Sequence, residues 1–361
     1  MAIVMIVPTS KLLRGSVARR ILRAPAVRHR TVSRVALRAA AALAGAGLAL
    51  GSAAARAGWV GDAMDLMGTR VSVELWQDDE ARGRELVNEV MEDYRRIDRE
   101  MSTYKPDSEI SLVNAHAAEK PMVISAELYS MIDRSLQLSV ASRGAFDITY
   151  DSVGYLYDFR ARKRPTDAQI EQHLGAVDYR HVVLDPNSGT VHFTQPGVRI
   201  NVGGIAKGYT VQHAADMLRA KGVEHALLNA GGDTRVIGDR RGQPWIVGIR
   251  HPRLENEVIT RLPIVDEAIS TAGDYERFFE EDGKRYHHVI NPRTGKPTEG
   301  ILTVTVIGPD GTMTDGLDTA IFVLGAEEGL EMIKKYPEYE AIIVDATGKI
   351  SYSSGLAPPG Q

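Results

Sequence analysis

Ile200-Asn201-Val202-Gly203-Gly204-Ile205-Ala206-Lys207-Gly208-Tyr209 is followed by a helical pattern and then by Leu228-Asn229-Ala230-Gly231-Gly232-Asp233. A β-branched strand ends in a double glycine, a lysine follows, and a helix opens at once. That helix stops at Gly222, and the next strand enters a second double glycine that ends in an aspartate. Glycine lets a ligand come close to the backbone, and a fresh helix N-terminus offers free N–H groups to an anion. The spacing fits neither a Walker A loop, which needs Gly-Lys-Ser/Thr, nor the dinucleotide Gly-x-Gly-x-x-Gly. Two readings stay open on these residues alone: an anion cradle for a phosphorylated ligand, and a plain tight strand-to-helix turn.

Downstream of this helix strands dominate, at 226–228, 235–237, 246–250, 259–262, 287–290 and 303–307, with turns at Arg241-Gly242 and Asp310-Gly311. Helices are predicted near 319–324 and 327–335, then a hairpin turning at Ala346-Thr347-Gly348. Upstream, Arg70-Val71-Ser72-Val73-Glu74-Leu75 alternates like a half-buried strand. Leu86, Val90, Met91, Tyr94, Ile97 and Met101 then recur at helical spacing. Ser125 caps a second helix, and Thr166-Asp167-Ala168-Gln169 is a capping box. Helices and strands are segregated in blocks, which predicts an α+β fold with a largely antiparallel sheet. A doubly wound parallel sheet needs a regular alternation that is missing.

The first acidic residue is Asp62. Before it lie one lysine and nine arginines, an apolar run ending Leu48-Ala49-Leu50, and small residues up to Ala55-Arg56-Ala57. This pattern predicts a secretory signal peptide over 1–57, one domain over 58–356, and a periplasmic or otherwise extracytoplasmic location. The competing reading is a disordered basic arm. Arg19-Arg20 stands far from the apolar run, which argues against a twin-arginine route. The chain has no cysteine, so disulfides, thiolate catalysis and Cys-metal sites are excluded. About 300 residues can bury enough apolar surface to hold together by packing alone. The formal net charge of −4 hides an acidic body. Taking away the ten basic residues of the leader leaves 33 Lys and Arg against 47 Asp and Glu, a net of −14. Such a surface argues against nucleic acid and anionic membrane as partners.

Four segments carry candidate chemistry. In Thr314-Asp315-Gly316-Leu317-Asp318-Thr319, residues 315, 318 and 319 share one face of a helix placed to begin here. Two carboxylates and a hydroxyl make a hard-oxygen site of the kind Mg²⁺ takes, although aspartate in a first turn is also ordinary capping. Tyr286-His287-His288-Val289-Ile290 is read as strand, so only one histidine can face a given site; one at a strand end is a candidate general base. Tyr104, in the loop after the long helix, can stack on a planar ring. Gly144-Ala145-Phe146-Asp147-Ile148-Thr149 is a helix-to-strand turn that decides nothing by itself.

Taken in order, Met67-Gly68-Thr69, Met101-Ser102-Thr103-Tyr104, Gly144 to Thr149, Gly203 to Gly208, Asn229 to Asp233, His288-Val289-Ile290-Asn291-Pro292-x-Thr294-Gly295 and Thr314-Asp315-x-x-x-Thr319 resemble the ApbE family, the exported FAD:protein FMN transferases. The resemblance spans nearly all of the expected mature chain and implies an ApbE-like (T-fold-like) domain. It implies Mg²⁺-dependent transfer of FMN from FAD to a threonine hydroxyl of an acceptor flavoprotein, a subunit of a membrane redox complex, with release of AMP. It further implies that Met67, Tyr104, Ala145, Phe146 and Asp147 line the FAD pocket, with Asn201, Lys207 and Val289 at the nucleotide. Gly204, Asp315, Asp318 and Thr319 would hold Mg²⁺, with His288 and Asp315 as the catalytic pair. Two departures stand out: Asn201 where aspartate is usual, and Tyr150-Asp151-Ser152-Val153-Gly154-Tyr155-Leu156 where Gly-Pro-Leu is usual. The rival functions are an FAD pyrophosphatase releasing FMN and AMP, and a non-catalytic periplasmic FAD-binding protein.

Overall fold

The computed structural model describes residues 57–254 and 256–356. The expected signal peptide, but for Ala57, lies outside the described residues. Eight strands build the main sheet: β1 (Gly58–Leu66), β2 (Thr69–Gln77), β3 (Ala226–Ala230), β4 (Asp233–Ile237), β5 (Ala268–Gly273), β6 (Ile301–Gly308), β7 (Glu340–Asp345) and β8 (Ile350–Tyr352). They lie side by side in chain order, each antiparallel to the next. The fold is therefore α+β with a large antiparallel sheet, as the blocks of sequence predict.

Four helices matter for the site: α1 (Glu80–Met101), α2 (Ala126–Ala141), α3 (Ala206–Ala220) and α4 (Gly311–Leu324). Asp79 caps α1 by accepting the Ala81 N–H at 2.9 Å. The helix then buries Leu86, Val87, Val90, Met91, Tyr94 and Ile97. This stripe meets Val71, Val73 and Leu75 of β2 and Ala226, Leu228 and Ala230 of β3. α3 packs on β3 and β4, and α4 packs on β5 and β6. The opposite face of the sheet, with Leu227, Val236, Ile269 and Ile307, is covered by Trp245, Val247, Ile249 and Ile264 of a hairpin. Each large apolar side chain buried this way contributes about 1.5–3 kcal/mol. Because strand side chains alternate, Val236 takes the hairpin face and Asp233, Arg235 and Ile237 the helix face. An aspartate is thus pushed under the helices.

The structure adds one strand that the pattern does not show and corrects two local expectations. β1 is a full strand paired to β2 through Met67-Gly68, both at positive φ (53° and 71°). Its alternation is interrupted by Gly61, Asp62 and Asp65, so the apolar period is weak. The expected strand at 287–290 is interrupted between His287 and Ile290, just past the last ladder bond, from the His288 N–H to the Arg277 carbonyl at 3.0 Å. Most consequential, α4 opens at Gly311, with Asp310 as its cap accepting the Met313 N–H at 3.0 Å. Asp315 and Asp318 are therefore not capping residues; they stand further along the helix and are buried.

Candidate active site

α3 and α4 cross where Gly208 faces Gly311. A Cβ on Gly208 would lie 2.1 Å from the Gly311 carbonyl oxygen and 2.6 Å from Asp315 Cβ, so only glycine allows this approach. The contact lets the Gly208 N–H donate to Asp315 Oδ2 at 2.8 Å. The first turn of α3 does hold an anion, and it is the chain's own carboxylate.

On the β3–β4 side, Asn229 ties the second double glycine. Its Nδ2 donates to the Gly231 and Asp233 carbonyls, both at 3.2 Å, and to Thr234 Oγ1 at 2.9 Å. Gly231 (φ 68°) and Gly232 are wedged against Thr69 and the Thr271 carbonyl. The turn so made delivers Asp233 to the same point. Asp233, Asp315 and Asp318 are all buried, and an oxygen of each lies within 4.8 Å of the others.

Such a cluster is costly unless compensated. Lys207, the second residue of α3, bonds Asp233 and lies 3.5 Å from Asp315 Oδ1. Burial disfavours its ammonium, but the Asp233 and Asp315 carboxylates outweigh that and hold it above the ordinary lysine range. Ser270 of β5 donates to Asp233, and Thr319 Oγ1 donates to Asp318 Oδ1 at 3.2 Å. Even so, burial and the Asp315 charge lift Asp233 to about 7. Burial, Asp315 and Asp233 raise Asp318 well above the carboxylate range. Three crowded hard oxygens short of positive charge are the donor set a small divalent cation satisfies, so these residues fit Mg²⁺. Gly204 sits opposite Thr319, where an added Cβ would be 3.4 Å from its Oγ1. The sequence reading had named Gly204, Asp315, Asp318 and Thr319 and had missed Asp233, whose only signal was the Gly-Gly-Asp ending a strand.

Asp315 and Asp318 of this cluster line a cleft of about 1400 Å³, larger than a usual small-molecule pocket. Every residue expected at the site lines it. Met67 forms the β1–β2 turn, held by Arg277 Nη2 donating to its carbonyl at 2.9 Å. Tyr104 stands on the rim, 82% exposed. Ala145, Phe146 and Asp147 are buried in the wall. Asp147 spends its carboxylate inside the protein: Oδ1 accepts the Thr149 N–H at 2.8 Å and Oδ2 accepts the Tyr179 N–H at 2.8 Å. Asn201 holds the double-glycine loop, its Oδ1 accepting the Gly203 N–H at 2.8 Å. Lys207 reaches the cleft, but its ammonium is engaged by the carboxylates.

The two histidines part company. His287 is buried, its Nε2 donating to the Thr298 carbonyl at 2.7 Å while Nδ1 faces the Val289 N–H at 3.4 Å. His288 lines the cleft beside Val289, with Nδ1 enclosed and unpartnered. Burial, with help from Arg277, His287 and Lys207, lowers its pKa to about 3, so the imidazole is neutral at physiological pH.

Comparison with known proteins agrees with this fold. The model of the ApbE family matches residues 67–343. An FAD:protein FMN transferase of Klebsiella pneumoniae (strain 342) is 31% identical over 293 residues, covering 80% of this chain and 90% of the relative. The crystal structure of the ApbE protein of Thermotoga maritima superposes with a TM-score of 0.77 at 31% identity, covering 82% of this chain and 98% of that one. The flavin transferase ApbE of Vibrio cholerae gives 0.75 at 28% identity, covering 83% and 98%.

Proposed function

The chain belongs to the ApbE family, and from that premise we propose that it is an FAD:protein FMN transferase whose acceptor nucleophile is a threonine hydroxyl and whose by-product is AMP. The observation that carries this reading is the convergence of Asp233 with Asp315 and Asp318, the latter two on the wall of a cleft that also holds His288 and the expected flavin-facing residues.

In the proposed reaction the threonine oxygen forms a bond to the FMN-side phosphorus of FAD. The bond from that phosphorus to the bridging oxygen breaks, and AMP leaves with it. The threonine proton passes to the neutral imidazole of His288. Asp233, Asp315, Asp318 and Thr319, with the backbone at Gly204, would hold Mg²⁺. When bound, that ion supplies charge neutralisation at the pyrophosphate oxygens. Lys207 keeps the carboxylates compatible with one another, and Tyr104 offers a face for stacking. The acceptor is an exported flavoprotein subunit of a membrane redox complex, reached outside the cytoplasm through the basic, apolar leader.

The test is the intact mass of a threonine-bearing acceptor domain after incubation with the mature protein, FAD and Mg²⁺, beside an EDTA control. A metal-dependent gain of one FMN residue is expected. Free FMN and AMP without a mass gain point to a pyrophosphatase, and intact FAD with no gain points to a flavin-binding protein.

A further inference from the structure

The two departures from the family pattern, Asn201 and Asp151, touch each other. Asp151 opens a short helix in the cleft wall and is 4% exposed. Its Oδ1 accepts from Asn201 Nδ2 at 3.2 Å and its Oδ2 from Arg199 Nε at 3.3 Å. Asn201 Nδ2 donates as well to Thr103 Oγ1 at 3.3 Å, and its Oδ1 accepts the Gly203 N–H. A carboxylate only accepts and a backbone N–H only donates, so the Asn201 amide has a single satisfied orientation. Through it, Asp151 joins the loop before Tyr104 to the double-glycine loop.

Resting on the flavin-transferase reading, we propose that Asp151 is a positioning residue for the nucleotide. It supplies the carboxylate that position 201 lacks and fixes the Asn201 amide that orients Thr103 and Gly203. The chemistry makes the pair interdependent. Aspartate at 201 beside Asp151 would set two carboxylates in contact, which disfavours both charges. Asparagine at both positions would strip Arg199 of its anion and let the amide turn over. A single carboxylate shared with a single amide satisfies every donor, whichever position carries which.

The experiment is a double-mutant cycle on the mature protein, with Asp151→Asn, Asn201→Asp and the exchanged double variant. The readouts are the FAD dissociation constant, from quenching of flavin fluorescence, and the thermal midpoint without FAD. Each single variant is expected to weaken FAD binding about tenfold, the size of one lost hydrogen bond to a charged group. The double variant is expected to return to within about threefold of the parent. Losses that simply add in the double variant overturn the proposal. So do midpoints that move while FAD affinity stays constant, since the pair would then be structural only. In both cases the parent still binds FAD, and the transferase reading stands. A parent that binds no FAD removes the flavin reading and this inference with it.

Discussion

The backbone N–H of Gly208 donates to Asp315 Oδ2 at 2.8 Å across the point where α3 and α4 touch. One missing side chain thus lets two helices close and satisfies a buried carboxylate, whose other oxygen lies 3.5 Å from the Lys207 ammonium beside Asp233 and Asp318.

Gly208→Ala tests that relationship. The added methyl meets the Gly311 carbonyl and Asp315 Cβ, so the helices must separate. Overpacking of this kind costs about 1–3 kcal/mol, a fall of several degrees in the thermal midpoint for a chain of this size. Flavin transfer should fall with it; a variant with unchanged midpoint and turnover would show that the crossing is not rigid.

Asp318→Asn separates stability from function. The raised pKa of Asp318 means its ionised form is disfavoured in the fold. A neutral amide should therefore raise the midpoint of EDTA-treated protein while abolishing transfer. The sign extends to pH. The folded state holds protons on Asp233 and Asp318 that the unfolded chain releases near 4, so metal-free stability should decline from about pH 4 toward pH 7. Calorimetry of parent and variant in EDTA checks both, and the variant should show the shallower decline.

Asp315→Ala should leave FAD bound weakly and remove turnover, since it deletes the carboxylate that links α3 to the cluster. Full activity in that variant would sink the assignment of Mg²⁺ to these residues.

His288→Ala should spare FAD binding and slow transfer by about 10²–10⁴-fold, the usual contribution of a positioned base. With its pKa near 3, His288 is already neutral at pH 5. The pH–rate profile should then lack an acid limb near 6.5; a limb there that disappears in His288→Ala would contradict the buried, neutral imidazole.

Far from the cleft, His213 Nδ1 lies 2.8 Å from Asp93 Oδ2 between α3 and α1. The Asp93 hydrogen bond raises the histidine pKa despite partial burial. Its stabilising contribution is complete below about pH 6.5 and is lost as pH rises through the elevated folded value. His213→Asn should flatten the decline in midpoint between pH 6 and pH 9, measured by differential scanning calorimetry.

Sequence alone determined the α+β class and the antiparallel sheet, which follow from local signals: block segregation of strands and helices, and glycine pairs at turns. The residues expected in the cleft came from the resemblance of motif segments to a family, and all of them line it. Sequence placed Asp315 and Asp318 on one helix face, because the spacing of a helix is fixed. It left open whether they cap a helix or face a ligand, since that depends on where the helix starts. Tertiary structure decided this through Asp310, which took the cap and carried the two aspartates into the core. It alone added Asp233, because strand alternation and the Gly231-Gly232 turn point that side chain at a helix distant in the chain. The contact of Asn201 with Asp151 was equally invisible in one dimension. Hydrogen bonds between distant segments leave no period in a sequence; only packing fixes which donors and acceptors meet.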